Sequence, residues 1–103
     1  MIESVQGGMM TLRDIRRHSV ERMDAEVVRL EKQLRKMRDA HDDLQQEMFD
    51  ICRKLKDAPD SGVLVKKTED LKKRISDSMV DIHHLDARIS RVKHRAERLR
   101  RNG

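Results

Sequence analysis

Five histidines and one cysteine are the residues of this 103-residue chain best suited to metal, acid–base or nucleophilic chemistry, and their spacing argues against all three. His83 and His84 are neighbours, so on a helix they point to different faces, and His18 and His94 stand alone. No two histidines have the i, i+4 spacing of a helical zinc site. The acid pairs Asp42-Asp43 and Glu69-Asp70 are adjacent too, so their carboxylates diverge, whereas paired-carboxylate catalysis needs groups converging in a cleft. A glycine-rich phosphate loop is missing, as is a nucleophile with a base at useful spacing. The pattern predicts a protein that is not an enzyme, with no catalytic residue, no metal, no cofactor and no small-molecule substrate. Cys52 cannot form a disulfide within one chain, which fits a reducing compartment.

The charged residues carry a second chemistry, binding. Between Arg88 and Arg101 lie Arg88, Arg91, Lys93, Arg95, Arg98, Arg100 and Arg101, with Glu97 the one acid. Arg13, Arg16, Arg17 and Arg22 form a second basic stretch near the start. Asp39, Asp42, Asp43, Glu47 and Asp50 are acidic between them. A basic surface of this kind suits an acidic partner or phosphates, with counterion release making phosphate affinity fall with salt. Phe49 is the only aromatic, so there is no stacking platform for single strands, and no helix-turn-helix or zinc module is present.

What must position these residues is a heptad stripe that runs through both halves of the chain. Val27, Leu34, His41, Met48 and Leu55 recur at a, and Met23, Leu30, Met37, Leu44 and Ile51 at d. A second stripe has Thr68, Ile75, Ile82, Ile89 and Ala96 at a, with Leu64, Leu71, Ser78, Leu85, Val92 and Leu99 at d. Spacing of 3.5 residues kept over five heptads predicts two long helices rather than a disordered polyampholyte. If the chain folds back so that facing residue numbers sum to 119, every a meets a d. The layers then include Leu34 on Leu85, Leu30 on Ile89, Val27 on Val92 and Val20 on Leu99. His41 falls opposite Ser78. A shift of one heptad would set the imidazole against Leu85 or Leu71, so His41 and Ser78 are read as a register pin rather than a pH switch or metal site. The expected fold is all-α, a two-helix antiparallel coiled-coil hairpin, with dimerisation into a four-helix bundle as a further expectation.

Residues 1–10, with Gly7-Gly8, read as a flexible leader, and 11–103 as the hairpin. Thr11 with Asp14 makes a weak capping box. Helix 1 is expected over about 11–58 and helix 2 over about 62–101, with a turn at 59–62 built from Pro59, Asp60, Ser61 and Gly62. Thr68 is a competing start for helix 2. The flanks are expected to pair Glu26 with Arg95, Glu47 with Arg74 and Asp24 with Lys93. Cys52, at e, should face Val65. With Phe49, Val63 and Met79 these residues form an apolar flank that one hairpin leaves uncovered, a docking surface for a partner helix or a second copy.

Charged residues make up 42% of the chain, which suits a thin seam and not a thick core. No apolar run exceeds Val63-Leu64-Val65, so no membrane span or signal-peptide core is expected. The expected location is the cytoplasm, or the nucleus in a eukaryote. In helix number, length and basic character the chain resembles the hairpin stalk proteins of type III and flagellar export, which engage an ATPase ring. It is similar also to the small plasmid RNA-binding hairpins that dimerise into a four-helix bundle. The sequence thus favours a non-enzymatic adaptor, stalk or small subunit with protein partners that include itself. The alternative is a dimeric hairpin binding nucleic acid through its basic end.

Overall fold

The computed structural model describes residues 11–102, so the leader expected over 1–10 lies outside the described residues. The described residues form two helices: α1, Leu12–Asp57, and α2, Gly62–Asn102. They pack against each other in opposite directions as an all-α helical hairpin. Residues 11–31 with 87–102 form one compact unit and 32–86 another.

Local chemistry sets the helix limits. The N–H of Asp14 donates to Thr11 Oγ1 at 3.1 Å and the N–H of Thr11 donates to Asp14 Oδ2 at 3.4 Å, a reciprocal cap on α1. The Thr11 hydroxyl first, and then the Thr11 N–H, hold the Asp14 carboxyl below its usual value of 3.8. A lowered pKa stabilises the capped turn above the ordinary carboxylate range, and that support is lost as pH falls through the lowered value. We expect Thr11→Ala to speed amide exchange at Asp14 and Ile15 about fivefold at pH 7, the usual worth of an N-cap. Acidification should produce the same fraying in the wild type, which NMR-detected exchange measures residue by residue.

At the turn, Ser61 N–H donates to Ala58 C=O at 3.2 Å, so Pro59 takes the second position of a four-residue turn, where its fixed φ is suited. Ser61 then caps α2 by accepting from Leu64 N–H at 3.3 Å. Thr68 does not start the helix. Its hydroxyl donates to Leu64 C=O at 2.9 Å, which satisfies a polar group inside the stripe.

Burial follows the stripe. In the 11–31/87–102 unit the buried side chains are Val27, Leu30, Ile89 and Ala96, and in the 32–86 unit Leu34, Ile51, Leu71 and Leu85. The remaining a and d residues from Val20 to Leu99 are half-buried. Leu12 is 75% exposed and Ile15 also lies open, because in this layering Asn102 faces residue 17 and both precede it. Among the described residues no buried side-chain polar atom lacks a partner.

Candidate functional site

The structure sorts the basic residues into two groups. In the 11–31/87–102 unit, Nη2 of Arg100 lies 2.6 and 2.5 Å from the two carboxylate oxygens of Asp24. Arg88 reaches Glu26 at 3.2 Å and Lys93 reaches Glu31 at 3.3 Å. Glu97 lies 3.7 Å from both Arg100 and Arg101. Arg16 donates to the C=O of Asn102 at 2.5 Å, so it serves a carbonyl that the end of α2 leaves without a helical partner. Arg13, Arg17, Arg22, Arg91, Arg95 and Arg98 have no carboxylate within 4 Å among the described residues.

These pairs correct the expected ones. Glu26 takes Arg88 and not Arg95, Asp24 takes Arg100 and not Lys93, and Glu47 with Arg74 makes no ion pair among the described residues. Each e or g residue lies between two like positions of the other helix, one heptad apart. For Asp24 and Glu31 the choice follows geometry. Side chains lean toward the N-terminus of their own helix, so in an antiparallel pair they meet partners of higher number. The choice of Arg88 by Glu26 follows no such rule, and exposed pairs differ by less than about 1 kcal/mol.

In the 32–86 unit, His41 Nδ1 lies 3.1 Å from Ser78 Oγ, in the layer the stripe pairs them in. His41 Nε2 lies 3.3 Å from Gln45 Nε2, one helical turn on. With the Gln45 amide donating, Nε2 accepts and Nδ1–H donates to Ser78, so both ring nitrogens of the half-buried imidazole are used. The sequence reading passed over Gln45, although its i+4 spacing from His41 is the signal for such a contact.

The apolar candidates are exposed, and they do not share one face. Phe49 is 60% exposed, with Arg53 stacked 4.9 Å from its ring centre. Val65, Met79 and Cys52 are exposed as well. Cys52 and Val65 occupy the e positions, and Phe49 at b adjoins Cys52 on α1. Val63 is two residues from Val65 and points to the other flank, so it leaves the expected group. Val80 and Val28, which the sequence reading did not single out, are exposed too. His83, His84, Met79 and Val80 line a shallow groove on the 32–86 unit with His41 and Arg38. The described residues hold no cluster of three His, Cys, Asp or Glu placed for a metal ion, and no helix among them is long and apolar enough to cross a membrane. Comparison with known protein families, characterised proteins and solved structures finds no match to this chain.

Proposed function

We propose that this protein is a non-enzymatic coiled-coil interaction module, an adaptor, stalk or small subunit that docks protein partners on the e flank of its 32–86 unit. One observation carries the reading. In the 11–31/87–102 unit the e flank is bridged by the ion pairs Asp24–Arg100 and Glu31–Lys93. In the 32–86 unit the same flank has no such ion pair, and its e residues Cys52, Val65 and Met79 are exposed, with Phe49 adjoining Cys52 and the polar Gln45 and Lys72 between them. Apolar residues at a, d and e together make the broad face of a helix bundle, wider than a two-stranded seam needs. A second hairpin or a partner helix would cover that surplus. Work in the cytoplasm, or in a eukaryotic nucleus, fits the single unpaired thiol.

The test is affinity capture of the full chain from native lysate at about 0.3 M salt after nuclease treatment, with light scattering for self-association. Exposed aromatic anchors at interfaces are worth about 2 kcal/mol, so Phe49→Ser/Val65→Ser should weaken partner binding roughly 30-fold. Capture that is unchanged by this variant would overturn the proposal.

A further inference from the structure

Arginine and lysine are segregated along this chain. Of the twelve Lys and Arg in 11–31 and 87–102 eleven are Arg, whereas only four of the twelve in 32–86 are. The charge balance is segregated as well. Residues 32–86 carry twelve acids against their twelve cations and 11–31 carry five against five, but 87–102 set seven cations against Glu97 alone. Residues 87–102 therefore carry a net charge of +6, which Glu3 brings to +5 for the whole chain. The acids of the 11–31/87–102 unit are largely engaged already, by the Thr11 cap and by Arg88, Lys93, Arg100 and Arg101. Arg91, Arg95 and Arg98 are left on one face of α2, at i, i+4 and i+7. They line one shallow groove with Ser90 and His94, and the His94 ring is held by a 3.0 Å bond between Nδ1 and the Ser90 C=O.

We propose that the Arg91–Arg95–Arg98 face binds the phosphate backbone of double-stranded nucleic acid. The guanidinium fork matches phosphate in a bidentate way that lysine cannot, and this unit uses Arg almost throughout. Rises of about 6 and 4.5 Å between the three residues set flexible guanidiniums along a row that can follow phosphates of one strand. Carboxylates would satisfy the same forks, but a protein interface also needs apolar or aromatic area to bury at its centre. Only Ser90 and His94 lie between these arginines. Phosphate contacts need no apolar centre. Single strands are disfavoured because the one aromatic, Phe49, belongs to the other unit. Contacts confined to phosphate position a duplex without reading its sequence. This surface is separate from the docking flank of 32–86, and its test does not depend on that flank.

The experiment is fluorescence anisotropy of the full chain with labelled 20-base-pair DNA and RNA duplexes of mixed sequence, from 50 to 300 mM salt. Three phosphate contacts predict a log–log slope near −3. Arg91→Gln/Arg95→Gln/Arg98→Gln should lose more than tenfold in affinity at 100 mM and flatten the slope. Arg100→Gln/Arg101→Gln, which alters cations already paired, should change the slope by less than about one. Because the three arginines are exposed and have no acid partner among the described residues, circular dichroism melting should be unchanged in the first variant. The proposal is overturned by no binding at 50 mM salt or by a triple variant with the wild-type slope. It is equally overturned if poly-glutamate or anionic phospholipid vesicles compete as well as unlabelled duplex at equal charge.

Discussion

Leu30→Ala should lower the stability of the folded chain by about 3 kcal/mol, while Val28→Ala, two residues away on the same helix, should change it by less than about 0.5 kcal/mol. Leu30 is 1% exposed, the one large side chain fully enclosed among the described residues, whereas Val28 lies open at b. Truncating a buried leucine removes its transfer free energy and leaves a cavity that neighbouring layers fill only in part. In a large domain such a loss is absorbed. Here each unit has four buried side chains, and small domains have a margin of only about 5 kcal/mol. A loss of 3 kcal/mol should therefore populate the unfolded chain visibly at 37 °C. Urea melts at fixed protein concentration, followed by circular dichroism, measure both variants. Equal effects at Leu30 and Val28 would mean that the seam does not carry the stability.

That contrast was legible in the sequence, because the stripe is set by backbone geometry alone. A period of 3.5 residues leaves one face for the seam, and from Val20 to Leu99 every residue of that face is buried or half-buried. The turn was legible for a similar reason, since Pro59 acts through its own fixed φ and Ser61 through bonds to near neighbours. Partner choice on the flanks was not. Glu26 lies between two cations a heptad apart, Arg88 and Arg95, and the difference lies within the worth of one exposed pair. The division of eleven basic residues into paired and free ones follows from those choices, so it became visible only with coordinates. Val63 is a different kind of miss. It stands two residues from Val65, and i, i+2 residues of a helix do not share a face.

Replacing His41 and Ser78 together by leucine should stabilise the helices and blur the register. The imidazole and hydroxyl satisfy each other at 3.1 Å, with Gln45 on the second ring nitrogen, so the layer is sound but not strong. A net hydrogen bond is worth about 1 kcal/mol, and replacing both partners with apolar residues of similar shape can be neutral or stabilising. For a chain this size each kcal/mol raises the melting temperature by about 4–8 °C. What the pair supplies is discrimination. With leucine in both places, Thr68 is the one polar residue left in the stripe of the 32–86 unit, and pairings shifted by a heptad or made between chains lose most of their penalty. A disulfide probe reads this directly. In a Cys52→Ser background, Leu34→Cys/Leu85→Cys should crosslink within one chain, because the layering pairs those positions. Adding His41→Leu/Ser78→Leu should lower the intrachain yield and produce crosslinked dimers even as melting shifts upward. Ser78→Ala alone should cost about 1 kcal/mol, since the half-buried imidazole can take a water in place of the hydroxyl. If the double leucine variant melts lower than wild type and still crosslinks only within one chain, the His41–Ser78 layer is a source of stability, and the register is held by the turn and the apolar layers.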